Sequence, residues 1–387
     1  MTKTALIILT AVITMLNAET IPFYIGTYTS NTKSRGIYRS ELDLQTGEMS
    51  EPQLAAETLN PSFVAVNHNG SALYAVSKTD SEGRVNAFNI VESTGELEII
   101  DSQSSKGVSP CYVSIDPSGS NLLIANYSSG SITVLPIGKD ARVEPPACSI
   151  AHEGKSENAK RQEAPHAHSI ITSPDGRYVF AADLGIDKIM VYKLDKDAGK
   201  LTPAGDLFAK LRPGSGPRHM AFHPNGKFFY VINELNSTIT AFGYDYKTAQ
   251  LSEIETITTL PRSFSGTNLT AQICVHPSGK YLYGSNRGHD SIAAYQINSG
   301  NGTLSLIEIE TDGINEPRNF NIEPNGNFLV CANQHAGSLI TFRIDFETGK
   351  LEKTPHKINV PSPVCVDFVI KEKITSQSET YLNRTGF

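Results

Sequence analysis

Short apolar runs, each closed by a polar turn, recur along most of this 387-residue chain. The runs are rich in Val, Ile, Tyr and Phe, and Gly or Pro interrupts them too often for helices, so they read as strands. Turn segments NHNG, DPSG, SPDG, HPNG, HPSG and EPNG end at Gly70, Gly119, Gly176, Gly226, Gly279 and Gly326, at intervals of 49, 57, 50, 53 and 47 residues. Each turn has an apolar strand on both sides, as in PRHMAFHPNGKFFYVIN. A third strand follows a polar turn, as in STITAFGY, and a weaker fourth follows a TGEL-type turn, as in GKLTPAGD. In these turns Pro presets its φ angle and Gly accepts a positive one. Four antiparallel strands per unit of about fifty residues predict an all-β fold, a β-propeller.

Six units are complete, and a remainder stands at each end. PVCVDFVI (363–370) reads as an innermost strand with nothing after it, and FYIGTYT (23–29), GIYRSELD (36–43) and MSEPQLAA (49–56) as second, third and fourth strands with no first. Together they make a seventh blade, so the C-terminal strand closes a seven-bladed ring and leaves no exposed edge at the seam. One propeller over 19–372 is expected, with a loose polar tail at 373–387. The longest interval holds a charged, Pro-rich insertion at about 140–165, ending in RQEAPHAHS; long loops in compact folds are usually either functional or mobile.

The first 18 residues depart from the repeat. Lys3 precedes an apolar run over 5–16, and Leu16, Asn17 and Ala18 lead to a cleavage point, which reads as a signal peptide and places the mature protein outside the cytoplasm, in the periplasm or secreted. The run is too short to span a bilayer comfortably, so no membrane association is expected after cleavage. Charged residues make up 19% and the net charge is −7 without a basic stripe, which argues against nucleic acid as a partner. Five cysteines without CxxC spacing, and no His pair at metal spacing, give no metal site and no expected cofactor. Cys111, Cys274, Cys331 and Cys365 fall in or beside strand-like runs and read as small buried hydrophobes. A monomer is expected.

In a propeller the innermost strands line a central channel, and ligands bind at its mouth. The starts of the first strands carry His166 and His168, Arg218 and His219, and Arg318 with Asn319. The ends of the second strands carry Tyr28, Asn126 and Tyr127, Asp183, Asn233 and Glu234, Asn286 and Arg287, and Asn333 and Gln334. A repeat needs none of these charges, and buried charges are costly unless paired or met by a ligand. Three arginines against Glu234, with Asp183 as a second candidate carboxylate, leave a positive surplus that suits an anionic ligand. His223 and His276 belong to the HPNG and HPSG turns and read as turn residues; His68, His152, His335 and His356 show no partner in the sequence.

PRHMAFHPNGKFFYVINELN (217–236), RQEAPHAHS (161–169), NRGHDSI (286–292) and EPRNFNIEPNG (316–326) closely resemble the propeller-type 6-phosphogluconolactonase family, which includes carboxy-cis,cis-muconate cyclase. The resemblance covers essentially the whole chain after the first 18 residues. It implies a lactonase, a hydrolase that opens a sugar (aldono-) lactone, with Glu234, His168 and Arg218 as catalytic residues. Arg287, Arg318, His166, His219 and Gln334 are implied as substrate-binding. Arg218, Arg287 and Arg318 would hold an acidic group and stabilise the oxyanion on the lactone carbonyl. Glu234 and His168 would share the base and acid roles, with Glu234 the better base because nearby arginines lower its pKa. Phosphogluconolactone is made inside the cell, so export points to another aldonolactone or acidic lactone. A cycloisomerase of the muconate cyclase type would use the same residues for an internal addition. A non-catalytic binding propeller is a third alternative, because YVIN (230–233) and YAVS (74–77) resemble the YVTN repeats of surface-protein propellers. Such repeats predict near-identical blades, whereas these differ most at the channel. The absence of Trp disfavours WD-repeat scaffolds.

Overall fold

The computed structural model describes residues 19–78 and 82–370, so the expected signal peptide and the tail from 373 lie outside the described residues. Seven four-stranded antiparallel sheets form the ring, and the described residues contain no α-helix, only a 3₁₀ turn at Lys139–Ala141. The inner strands are Val64–Val66, Pro110–Ile115, Ala167–Thr172, Pro217–Phe222, Leu269–Val275, Pro317–Ile322 and Pro363–Phe368. We number the blades one to six from the first of these; the last belongs to the closing blade. In that blade Pro363–Phe368 pairs with Thr20–Thr27, which pairs with Gly36–Asp43 and then Gln53–Glu57, so the two chain ends share one sheet as the strand count requires. The insertion differs from expectation in one respect: its residues Cys148–Ala151 pair with Ser131–Pro136 and supply the fourth strand of blade two.

The second strands of blades two to six are buried along their whole length, because alternate side chains enter the interfaces with the two neighbouring blades. One apolar cluster, for example, joins Phe180, Ile189 and Val191 of blade three to Phe229, Val231 and Phe242 of blade four. Another joins Phe23, Ile25 and Val366 of the closing blade to Phe328, Val330 and Leu339 of blade six. Each such side chain contributes about 1.5–3 kcal/mol by leaving water, so the ring is held mainly by its blade interfaces.

The turn histidines add a polar clasp between blades. His223 Nε2 bonds to Gly279 O at 2.8 Å and His276 Nε2 to Gly326 O at 2.8 Å, each reaching the turn of the next blade. Gly279 and Gly326 have φ of 72° and 83°, and a Cβ there would meet the histidine ring at 2.7 and 2.5 Å. Both turns therefore require glycine for conformation and for space. His223 and His276 are turn residues, as expected.

Candidate functional site

A repeated irregularity aims side chains at the channel mouth. Where the inner strand begins, it holds one residue more than its partner strand, a β-bulge. The extra residue is Cys111 in blade two, His168 in blade three, Arg218 in blade four, Arg318 in blade six and Val364 in the closing blade. A bulge tilts its side chain away from the regular alternation, so the blades present different chemistry from one structural position.

The second strands contribute from the opposite direction. Asn126, Asn233, Asn286 and Asn333, at or next to their ends, are fully buried and donate to structural partners, for example Asn286 Nδ2 to Thr259 O at 3.0 Å, Asn333 Nδ2 to Gly313 O at 3.0 Å and Asn233 Nδ2 to Thr238 Oγ1 at 2.9 Å. These asparagines are structural, and the residue after each one stands at the mouth: Tyr127, Glu234, Arg287 and Gln334. Asp183 occupies the asparagine position of blade three. It accepts from His166 N at 2.7 Å and Gly185 N at 3.0 Å and pairs with His152 Nδ1 at 2.7 Å. Asp183 therefore does not balance the arginines; it stands one residue too early, and His152 has a partner that the sequence did not reveal.

Glu234 is the hub of the mouth and is 4% exposed. Its Oε2 accepts from Arg218 Nε at 2.9 Å and lies 3.0 Å from the Arg287 guanidinium. Its Oε1 accepts from Arg161 at 2.6 Å, and His168 Nε2 lies 4.0 Å from Oε2. Arg218 and Arg287 also donate to Ala271 O at 2.6 Å and Thr270 O at 2.9 Å. Arg318 makes no carboxylate pair among the described residues; its guanidinium lies over the Tyr28 ring, 5.3 Å from the centroid, a cation–π contact. Arg161 belongs to the insertion and was not among the expected site residues.

The charges set each group's protonation. Burial alone would push the Glu234 carboxyl up, but Arg287, Arg218 and Arg161 together hold it down at about 2. Burial, followed by Arg218 and Arg318, holds His168 well below the ordinary imidazole value, so it is neutral at pH 7. Burial and the like charges of Arg287 and Arg318 push Arg218 down to about 9, still charged at neutral pH. Four guanidiniums thus face one carboxylate, and although Glu316 also acts on Arg287 and Arg318 from the rim, the mouth is strongly positive.

The remaining expected residues are placed unequally. His219 Nε2 faces Arg218 Nη1 at 3.1 Å and its Nδ1 faces Gln272 Oε1 at 2.6 Å, with its ring 5.3 Å from that of His168. Because Arg218 can only donate, His219 accepts at Nε2 and carries its proton on Nδ1. It braces the site from below. His166 stacks on Tyr127 at 4.5 Å and faces Tyr127 O at 3.0 Å, so it shapes the rim and has no contact with Glu234. Gln334 is half-buried, and its Oε1 has no protein partner. Cys111 lies behind His168, its Sγ 3.9 Å from Nδ1 and 3.4 Å from the carbonyl oxygen, and burial pushes its thiol up to about 12. All five cysteines are free. Among the described residues, no group of three or more His, Cys, Asp or Glu side chains is placed to hold a metal ion, and no helix is long and apolar enough to cross a membrane.

Comparison with known proteins identifies the family. The family model for "Lactonase, 7-bladed beta-propeller" matches residues 22–368. The 6-phosphogluconolactonase of Bacillus subtilis is 42% identical over 89% of this chain and 97% of its own. The 6-phosphogluconolactonase of Formosa agariphila is 34% identical over 87% and 96%. The solved structure of a periplasmic gluconolactonase from Pseudomonas aeruginosa superposes with a TM-score of 0.85 at 31% identity, over 90% of this chain and 99% of its own. The chain belongs to the seven-bladed β-propeller lactonase family.

Proposed function

We propose that the protein hydrolyses an aldonolactone at the Glu234 mouth, and that its substrate carries an anionic group. The observation that carries this reading is the excess of guanidinium around one ionised carboxylate, with a neutral imidazole 4.0 Å away. Kinship with a 6-phosphogluconolactonase and a gluconolactonase supports the lactone as the substrate class. The periplasmic source of the second agrees with an exported protein, as residues 1–18 suggest.

Glu234 is ionised and His168 neutral at pH 7, so neither is an acid in the resting site. One group must therefore both take and return a proton. Both are weak bases at rest, but a proton taken by His168 makes an imidazolium 4.0 Å from the Glu234 carboxylate, whereas a proton taken by Glu234 would leave three guanidiniums without their partner; His168 thus replaces Glu234, the base expected from the sequence, as the better candidate. In our reading the water oxygen bonds to the lactone carbonyl carbon while its proton passes to His168 Nε2. The imidazolium so formed is stabilised by Glu234. Arg218, Arg287 and Arg318 stabilise the charge on the carbonyl oxygen. The bond from that carbon to the ring oxygen then breaks, His168 returns the proton to the ring oxygen, and the open hydroxy acid leaves.

His168→Ala should lower kcat on a hydrolysed lactone by about 10²–10⁴-fold, with a much smaller change in KM. A variant with near-normal kcat would remove His168 from the chemistry.

A further inference from the structure

The two oxygens of Glu234 are held in different ways. Oε2 is served by Arg218 and Arg287, both more than nine-tenths buried and both pinned by backbone carbonyls. Oε1 is served by Arg161, whose side chain is 34% exposed and whose other hydrogen bond goes to the Tyr127 hydroxyl at 3.2 Å. Arg161 is thus the outermost of the cations on Glu234 and the first that a molecule entering from solvent would meet.

The backbone beneath Arg161 is tied down. Its neighbour Gln162 is fully buried, donates from Nε2 to Leu184 O at 2.8 Å, and through Oε1 accepts from Asn158 N at 3.1 Å. Arg161 N and Gln162 N both bond to Asn158 O, at 3.1 and 2.7 Å. Ser156 Oγ, further back in the insertion, donates to Asp187 Oδ2 at 2.6 Å. The loop is anchored on both sides of Arg161, so the part free to move is the side chain.

We propose that Arg161 is an anion-operated latch: it occupies Glu234 Oε1 in the empty site and transfers to the phosphate or carboxylate of an incoming lactone, so that the enzyme selects anionic lactones through turnover. This rests on the lactonase reading above. A guanidinium exchanges one carboxylate for another anion at little cost, because either can accept from the Nη2 group that now serves Glu234 Oε1. The exchange has a consequence for the chemistry. Glu234 loses one of the cations that neutralise it, so its charge becomes available to the imidazolium that forms on His168. A neutral lactone fills the site without opening the latch and leaves that charge engaged. The anion thus accelerates the reaction without touching the bond that breaks, as differential binding in the transition state requires.

The test compares the wild-type protein with Arg161→Ala and Arg161→Lys on three substrates: glucono-δ-lactone, 6-phosphogluconolactone and a glucarolactone bearing a free carboxylate. Wild-type kcat should favour an anionic lactone over the neutral one by on the order of tenfold or more, and the preferred anion identifies phosphate or carboxylate as the natural group. In Arg161→Ala that preference should collapse, with kcat rising on the neutral lactone and KM rising on the anionic one. Arg161→Lys should fall between. Wild-type protein also provides an arm that needs no variant: inorganic phosphate should speed neutral-lactone hydrolysis, while sodium chloride of equal ionic strength should not. An unchanged preference in Arg161→Ala, or phosphate that only inhibits the wild type, overturns the latch. If the wild type opens none of the three lactones, the lactonase reading itself fails.

Discussion

Two carboxylates line the same channel and are treated in opposite ways. Glu234, at the mouth, is held by Arg161, Arg218 and Arg287 and stays ionised down to about 2. Asp367 lies near the far end of its inner strand, beside a cavity of about 260 Å³ lined also by Ser114, Gln272, Asn319 and Asn321. Its Oδ2 accepts from Val66 N at 2.8 Å, Tyr112 and Cys365 are titratable neighbours, His68 lines the same cavity, and no cation pairs with it among the described residues. Burial pushes its carboxyl up to about 7. The difference shows that the channel as a whole does not set the charge. One end concentrates arginine around a carboxylate and keeps it ionised, and the other is a polar cavity in which a carboxylate without a cationic partner is costly to ionise.

The largest effect should come from breaking the mouth. Glu234→Gln removes the group that balances three guanidiniums, and kcat/KM on the lactone should fall by about 10²–10⁴-fold. Stability should fall with it by about 3–5 kcal/mol, because cations are left buried without their partner. Denaturant titration and steady-state kinetics on one preparation check both.

The opposite end should respond with the opposite sign. A carboxyl whose folded pKa is raised favours folding in its protonated form, so its contribution is present below about 4 and is lost as pH rises towards about 7. Asp367→Asn removes that penalty and keeps an acceptor for Val66 N. It should stabilise the protein at pH 8 by about 1–2 kcal/mol, a value reduced for water reaching the cavity, and leave stability near pH 4 unchanged. Equal melting temperatures at pH 8 would show that Asp367 has a cationic partner. For Glu234 the sign reverses: its depressed pKa contributes stability above about 4.5 that is lost as pH falls towards about 2.

The repeat made the blades legible in the sequence because a hairpin is local. Pro, Asx and Gly fix each turn within four residues, and the neighbouring strands are short apolar runs. Ring closure was legible too, since one unmatched inner strand and three unmatched outer ones leave one solution. Arg218, Glu234, Arg287 and His168 could be found because each occupies a repeat position that other blades fill differently. Arg161 could not, because the insertion has no counterpart in the other blades and the Arg161–Glu234 pair spans 73 residues. The available signal was its place in RQEAPHAHS, immediately before the histidines. Asp183 differs from Glu234 by a single step: it pairs with the first residue of its inner strand, as Asn233 does in blade four, and a carboxylate side chain alone does not tell that structural position from the mouth position after it.

Smaller effects concern His168 and its backing. With His168 held below the ordinary imidazole value, the acid limb of kcat/KM should lie below pH 6.5; a limb above that would contradict a neutral base in the free enzyme. Cys111 should be silent. Burial keeps its thiol protonated to about 12, so iodoacetamide at pH 8 should leave activity intact despite the 3.9 Å approach to His168.

The decisive question is whether the guanidinium mouth opens a lactone. Acid release from 6-phosphogluconolactone and glucono-δ-lactone, followed in a pH-stat with the uncatalysed rate subtracted, should show turnover by the wild-type protein. Arg218→Ala should reduce it by about 10²–10³-fold, the loss expected for an oxyanion-stabilising donor. Turnover that Arg218→Ala leaves unchanged would contradict the account.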